Sequence, residues 1–419
     1  MNSAPPGWLP AARLSTRLTW AMTTTILAPL MIAGFVVSET YAAMVFAFAL
    51  APFIAPLLGA HSSSSAAPTR PPSQQRRDQR ERQNATHGAV ALLLLGGICS
   101  LALDRPEAAL CAMAAATYCL GLALSADARG AEQQHFPYWL QGLPEGLFFL
   151  AAGMTWFAFG SWFTPSEAAM AWGAIAAFLL VLLARRRDLR QGGEEQSPFG
   201  ASERSPILRA PSGLVLAVSL NFGLLAFGLF AQPWDLAAYA IALRFAGVIT
   251  LIQLAASIVG FQKAETPDAD ERDSALSILV LAIAICGIGV CIAGPTLLAT
   301  LELKALTADR HGILAQWMPV IGAHLFLLTA THALAANQIR ADLQKRFVWA
   351  TLAITLAGAG GLVWLDSVGL ASPINILTAA AGVTAAILSA MFLALWKSNR
   401  KFPRTGIAIL SGTLPYMML

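Results

Sequence analysis

Arg244 is the residue whose type and surroundings point most directly to chemistry. It lies inside an apolar run, residues 236–258, that is long enough to cross a bilayer. An ionised guanidinium is costly there unless it meets a cavity, a partner or a ligand, and it binds phosphate oxygens through paired hydrogen bonds. The sequence therefore favours a cation facing an anionic substrate group. The alternatives are pairing with an acid or a carbonyl, and snorkelling to the outer interface.

Two more ionisable side chains in apolar runs are candidates for carrying a coupling ion. Glu145 directly follows Pro144 at the start of the run 144–163. It could carry a proton or pair with a cation, or it could be an acid stabilised by the dipole of a helix start. His324 shares the run 314–336 with His332, without an accompanying acid. These histidines could form a proton relay, although hydrogen bonding between helices is the commoner role.

Asn221 and Arg17 are further candidates for contact with a substrate. Asn221 is an uncharged polar residue inside the run 213–231, where a hydrogen bond between helices is the usual role. Arg17, like Arg13, stands at the start of the first apolar run. Basic residues in this position typically anchor a helix at the lipid headgroups, and contact with a substrate phosphate is the alternative.

The sequence contains no pattern typical of catalysis or metal binding. It lacks a Gly-rich nucleotide loop followed by Lys and Ser/Thr, lacks HExxH, and offers no Ser/His/Asp set. The five cysteines fall in apolar runs without metal-ligand spacing to a histidine. We therefore expect no enzymatic activity, no cofactor and no bound metal.

The elements that must position these residues are twelve apolar stretches, each about long enough to span a membrane. Charged residues make up only 12% of the chain, about half the share typical of soluble domains. The sequence therefore predicts an all-α polytopic membrane protein with twelve transmembrane helices. By window hydropathy the spans are 17–36, 40–59, 88–103, 108–125, 144–163, 167–184, 213–231, 236–258, 275–295, 314–336, 347–366 and 374–396.

The distribution of basic residues predicts the orientation of these spans. Of the 27 Lys and Arg residues, 23 fall in segments on one side of the membrane, three on the other, and Arg244 within a span. Basic loops stay in the cytoplasm, so both termini are expected there. Because the cations are scattered along loop edges, they predict contact with membrane lipids and argue against nucleic acid as a partner.

Two polar segments predict how the spans are grouped. Residues 60–87 are rich in Ser, Pro, Gln and Arg, and residues 187–212 are charged and contain several Gly and Pro. The second segment divides the spans into two sets of six, and a shift of 195 residues aligns the first hairpins of the two sets. We therefore predict two pseudo-symmetric six-helix bundles. The domains are an N-terminal lobe at 1–186, a cytoplasmic linker at 187–212, a C-terminal lobe at 213–397 and a cytoplasmic tail at 398–419.

Two short motifs resemble those of a known transporter family. The run 136–142, FPYWLQG, followed by Glu145, resembles the Pro-x-Trp-x-x-Gln-Gly-x-Glu signature that opens span 5 in O-antigen-type polysaccharide flippases. The run 238–244, AYAIALR, is similar to the Tyr-Ala-x-Ala-x-Arg/Lys motif of span 8 in the same family. These flippases belong to the multidrug/oligosaccharidyl-lipid/polysaccharide exporter superfamily, and the resemblance extends to chain length, span count and the basic linker.

This resemblance implies a specific function and site. The protein would flip an undecaprenyl-pyrophosphate-linked oligosaccharide across the bacterial inner membrane, by alternating access driven by a proton or sodium gradient. Gln141 and Arg244 would contribute to substrate binding, and other polysaccharide assembly proteins would be partners.

Two other classes of membrane protein remain open from the sequence. An ion-coupled multidrug or small-molecule antiporter would share the architecture, but such a protein favours intramembrane acids, which are few here. A membrane glycan polymerase or ligase usually carries a long outside loop, whereas the longest predicted outside loop is only about 296–313.

Overall fold

The computed structural model describes residues 23–57, 106–131, 143–191, 211–247, 269–306, 311–338, 341–397 and 403–418, with isolated positions between 90 and 102. This part of the chain is helical and contains no strand. A short π-helical turn, Thr23–Leu27, comes first. The α-helices are α1 (Ala28–Phe35), α2 (Ser38–Leu57), α3 (Pro106–Ala131), α4 (Leu143–Phe159), α5 (Pro165–Gln191), α6 (Pro211–Phe230), α7 (Pro233–Ala246), α8 (Ala269–Thr300), α9 (His311–Gln338), α10 (Ala341–Ser367), α11 (Pro373–Lys397) and α12 (Pro403–Met418).

Five of these helices are long and apolar enough to cross a membrane, which confirms the prediction of an all-α membrane protein. They coincide within a few residues with five predicted spans. The membrane-competent segments are Pro165–Leu183, Ser277–Thr300, Gly312–Thr331, Trp349–Ser367 and Pro373–Leu393. Shorter apolar helical segments cover Thr25–Phe35, Ser38–Ile54 and Asn221–Phe230. The full set of twelve spans and the pseudo-symmetry stay predictions.

Exposed tryptophans near both ends of the apolar segment of α10, Trp349–Ser367, agree with a membrane setting. Trp349 and Trp364 are both exposed, and their fifteen-residue separation along the helix corresponds to about 22 Å at 1.5 Å per residue. Tryptophan is enriched at the two membrane–water interfaces, where its ring is partly apolar and its N–H stays near water. The apolar residues Leu356 and Val363 between them are exposed as well, as expected for a face in contact with lipid.

The chain divides into two compact units. One contains Met1–Ala42 and Phe222–Leu419, and the other contains Ala43–Asn221. The described residues 23–42 thus group with the C-terminal helices, and the predicted division into two lobes stays a prediction. The predicted linker at 187–212 falls largely outside the described residues, and the segment 60–87 does so entirely.

Close contacts at glycine hold the helices of the unit Ala43–Asn221 together. A Cβ on Gly173 of α5 would lie 2.7 Å from the Cα of Met113 in α3. A Cβ on Gly121 of α3 would lie 2.8 Å from the Cα of Pro144 in α4. Small residues allow helix backbones to approach closely in a membrane, where van der Waals contact replaces the hydrophobic effect as the main attraction. Beside these contacts, an aromatic cluster fills the interior: Phe48, Tyr118, Phe148 and Phe149.

Helix α7 is the buried helix of the unit that contains the C-terminal half. Its residues Asp235–Leu243 and Ala246 are buried. Tyr239 stacks on Phe227 of α6 with ring centroids 4.4 Å apart and planes 9° apart. Gly223 makes this stack possible, because a Cβ there would come within 3.1 Å of the Tyr239 Cζ. The packing of α6 on α7 therefore depends on Gly223, a residue without a side chain that lies one turn before Phe227.

The first apolar run is divided in two at its proline. Pro29 stands at the start of α1, and the preceding Thr23–Leu27 adopts a π-helical turn. Proline removes a backbone donor and its ring collides with the carbonyl of the preceding turn, and this accounts for the change in helical geometry.

At the other end of α1, the Ala305 N–H donates to the Ala33 carbonyl at 2.9 Å. The short loop after α8 thereby satisfies one of the carbonyls that α1 leaves open.

The segment 398–419, predicted as a cytoplasmic tail, contains helix α12, and a carboxylate from α8 caps it. Asp273 is buried. It accepts hydrogen bonds from the backbone N–H groups of Arg404 and Thr405, both at 3.0 Å, and from the Thr405 hydroxyl at 2.6 Å. The first N–H groups of a helix lack partners within the helix, and an acceptor with negative charge stabilises them. Hydropathy analysis of the sequence offered no signal for this long-range cap.

Replacing this carboxylate is expected to release α12. Asp273→Ala removes the acceptor of the Arg404 and Thr405 backbone N–H groups, and loss of a helix cap costs about 1–2 kcal/mol. We expect a lower stability in detergent and faster proteolytic cleavage near residue 403, measured by limited proteolysis with mass spectrometry. Asp366→Ala, which removes an exposed acid near the end of α10, is the control. Equal cleavage rates in the two variants would contradict a capping role for Asp273.

Candidate functional site

Arg244 lies in the last turn of α7 and is half-buried. The helix ends at Ala246, where the Gly247 N–H donates to the Arg244 carbonyl at 3.1 Å. The structure therefore describes the predicted span 236–258 as far as residue 247. Residues 248–258 lie outside the described residues. A cation at the end of a helix interacts favourably with the helix dipole. This position accounts for part of the stability of the guanidinium, while its partial exposure leaves it accessible to a ligand.

Tyr239 lies on the same helix as Arg244, and no site role was predicted for it. Its ring is completely buried against Phe227. Among the residues that the structure describes, its hydroxyl has no hydrogen-bond partner. Buried tyrosine hydroxyls usually find a partner, whereas this one occupies the space that a side chain at Gly223 would take. The motif AYAIALR contained this tyrosine, but its depth in the protein depends on Gly223, which lies sixteen residues earlier.

His324 connects two helices of this unit. It is buried in α9, and its Nδ1 lies 3.2 Å from the hydroxyl of Thr384 in α11. The Thr384 hydroxyl is also within hydrogen-bond distance of the Ala380 carbonyl, at 3.1 Å. If the hydroxyl proton goes to that carbonyl, the histidine Nδ1–H donates to the hydroxyl oxygen. Of the two roles considered for His324, this geometry matches hydrogen bonding between helices. A role in coupling stays a prediction.

Buried acids in the described part of the chain share a structural position. Glu145 lies in the first turn of α4, and Asp235 lies in the first turn of α7. Asp273 caps the start of α12. All three are buried, and each stands where the positive end of a helix dipole favours a carboxylate. The helix-start interpretation of Glu145 is therefore supported, and the alternative role in coupling stays a prediction.

The predicted site residues are distributed over both units. Arg244 and His324 belong to the unit containing the C-terminal half, on helices α7 and α9. Glu145 and Asn221 belong to the other unit, where Asn221 is half-buried in α6. Arg17 and Gln141 lie outside the described residues. Within the described residues, no group of three His, Cys, Asp or Glu side chains could hold a metal ion.

Helices α7 and α9 come together through α8. A Cβ on Gly294 of α8 would lie 2.6 Å from the Cε of Met318 in α9 and 3.3 Å from the Cε1 of Phe245 in α7. Phe245 directly follows Arg244 in the sequence. The backbone next to Arg244 is thus fixed by contact with two apolar helices.

Comparison with known proteins gave no match to a protein-family model, a curated protein or a solved structure. The function is therefore inferred from the residues of the chain itself.

Proposed function

We propose that this protein is an inner-membrane transporter that flips a lipid-linked oligosaccharide of the undecaprenyl-pyrophosphate type to the outer leaflet. The observation that supports this proposal is the half-buried cation Arg244 in a helix whose preceding residues, Asp235–Leu243, are buried. A pyrophosphate is a compact dianion whose oxygens match the planar donors of a guanidinium. The motifs at 136–145 and 238–244 support the same substrate class through their resemblance to polysaccharide flippases.

The energy of a helix dipole is smaller than the cost of placing an arginine in a membrane, so Arg244 needs further favourable contacts. A favourable helix end is worth about 0.3–1 kcal/mol for a charged side chain. The cost of placing an arginine near the centre of a membrane is about 2.5–3.5 kcal/mol on insertion scales. The dipole therefore offsets only part of this cost. Contacts within the protein and the phosphates of a substrate would together supply the remainder.

The positions of the buried acids weigh against a cation antiporter. Such a transporter needs a carboxylate that faces the substrate path and exchanges its proton or cation. In the described residues, the buried carboxylates Glu145, Asp235 and Asp273 are all at helix starts, and Asp273 already accepts three hydrogen bonds. Arg244 is a half-buried cation at the end of α7, and its charge and donor geometry suit an anionic substrate group.

A flippase of this kind would work by alternating access. The headgroup would reach Arg244 through a cavity open to the cytoplasm, and movement of helices would expose it to the other side. A proton or sodium gradient would drive the cycle. The π-helical turn before Pro29 is a point where the first apolar run can bend, since kinks in helices are typically found at prolines and π-helical turns.

The proposal is tested by deleting the gene in a strain that makes a surface polysaccharide. We expect surface polysaccharide to fall at least tenfold and lipid-linked repeat units to accumulate on the cytoplasmic leaflet, because flipping precedes assembly at the cell surface. Immunoblots of surface glycan and a leaflet-specific glycosidase assay measure these two effects, and a plasmid-borne copy should restore both.

The other functional classes give different results in the same strain. An antiporter would leave the glycan unchanged and raise sensitivity to toxic cations. A polymerase or ligase would leave single repeat units on the outer leaflet. Repeat units that reach the outer leaflet at the normal rate in the deletion strain would contradict the flippase proposal.

A further inference from the structure

Helix α12 runs beside the first half of α8 in the same direction. The Thr405 hydroxyl donates to the Asp273 carboxylate, and the Tyr416 hydroxyl donates to the Ala284 carbonyl at 3.2 Å. Both pairs are separated by 132 residues. A constant separation over eleven residues means that the two helices are parallel and rise together.

The contacts along this interface are close and continuous. A Cβ on Gly412 would lie 3.0 Å from the Ala284 Cβ and 2.6 Å from the Phe326 Cζ. A Cβ on Gly322 of α9 would lie 2.9 Å from the Tyr416 Cε1. Glycines on both sides thus allow α12 to pack between α8 and α9. This packing makes α12 an integral part of the helical unit over its whole length.

The constant separation of 132 residues shows which residues of α12 lie beside the membrane-spanning segment of α8. The apolar segment of α8 is Ser277–Thr300, with a mean hydropathy of 2.6. With the observed offset, Ile409 lies beside Ser277, so the last ten described residues of α12 lie beside the first part of that segment. Ten helical residues rise about 15 Å, or about half of the hydrocarbon thickness of a bilayer.

The outward face of α12 is apolar from Ile407 onward. Ile407, Leu410 and Leu414 are 64%, 70% and 60% exposed, respectively. Beyond Arg404, Ser411 is the exposed polar residue in the described part of the helix, and the half-buried Thr413 donates its hydroxyl to the Ile409 carbonyl at 2.6 Å. A helix on a protein surface in water presents charged and polar residues on its outer face. A helix in lipid presents the pattern seen here.

We propose that α12 is inserted in the membrane beside α8, with Ile407, Leu410 and Leu414 covered by lipid acyl chains. The described helix of the segment 398–419 would then not be part of a soluble tail, and the exposed Arg404 at its start would lie at the headgroups where the helix enters. Cations in this position bind anionic lipid surfaces. The proposal is independent of the transported substrate.

Site-specific labelling in native membranes tests this placement. Single cysteines are introduced as Arg404→Cys, Leu410→Cys and Leu414→Cys, and a charged, impermeant maleimide is added to fragmented membranes. Leu356→Cys, at an exposed position in the middle of α10, is the lipid-facing reference. Labelling of each peptide is quantified by mass spectrometry, so the native cysteines can stay in place.

The lipid environment predicts a clear difference between these positions. Position 404 should react at least tenfold faster than positions 410 and 414, which should match position 356, and all four should react equally in SDS. Equal rates at 404 and 410 in membranes would overturn the insertion. A spin label at position 410 should show strong relaxation by oxygen and weak relaxation by a nickel chelate. Weak relaxation by both reagents would overturn contact with lipid, because it would indicate cover by protein.

Discussion

Arg244→Ala is expected to lower export of the lipid-linked oligosaccharide at least tenfold while the protein accumulates to its normal level. The half-buried position of this side chain at the end of α7 makes it accessible to a ligand. Loss of a charge-assisted, bidentate hydrogen bond to phosphate costs about 1.5–3 kcal/mol. That corresponds to roughly a tenfold to hundredfold loss of affinity. Surface glycan and membrane protein level, measured in the same cells, check the expectation.

Substituting lysine at the same position separates charge from geometry. Arg244→Lys should restore part of the export, because an ammonium keeps the charge and loses the planar fork of donors. Arg404→Ala removes an exposed arginine outside the proposed site and is the control for a general effect of lost positive charge.

Other roles of Arg244 predict different results for the alanine variant. A structural arginine would lose folded protein, because its partner would be left unpaired in a low dielectric. A snorkelling arginine would tolerate alanine. Wild-type export by Arg244→Ala at wild-type abundance would therefore remove this residue from the site.

Gly173→Val is expected to cause the largest loss of folded protein among single substitutions in the helix contacts described above. A Cβ at this position would lie 2.7 Å from the Met113 Cα, which is a backbone atom and cannot rotate away. Helices α3 and α5 would have to separate, and overpacking of this kind costs about 3 kcal/mol. Detergent-solubilised protein should show a lower melting temperature and a lower monodisperse yield in size-exclusion chromatography.

Gly289→Val is the matched control for this substitution. Gly289 is exposed in the middle of α8, and a Cβ there meets nothing within 4 Å. The chemical change and the loss of helical flexibility are the same in both variants, so their difference measures the contact between α3 and α5. Equal melting temperatures for the two variants would show that this helix pair is not closely packed.

Hydropathy predicted five membrane-competent helices of the described residues within a few positions, because the cost of placing backbone and side chains in lipid acts on each segment by itself. A run of about twenty apolar residues satisfies that requirement without reference to the rest of the chain. The predicted spans 275–295 and 374–396 therefore agree with Ser277–Thr300 and Pro373–Leu393. The same local rule offers no information on which helices pack together.

The prolines within predicted spans do not all have the same effect on their helices. Pro29, Pro295 and Pro319 all lie within predicted spans, where a proline by itself is expected to kink or break a helix. The structure changes helical type just before Pro29, while α8 and α9 continue through Pro295 and Pro319. Neighbouring helices can hold a helix together around a proline, and the identity of those neighbours is not written in the local sequence.

The sequence by itself determined the helical, membrane-embedded character of this protein and drew attention to Arg244, since both depend on residue type within one apolar run. The tertiary structure decided the environments of Asp273, His324 and Tyr239. Asp273 caps a helix that begins about 130 residues later, and His324 meets Thr384 sixty residues away. Tyr239 is buried because Gly223 has no side chain. Such contacts join residues that are distant in the chain, and their partners become identifiable only when the helices have packed.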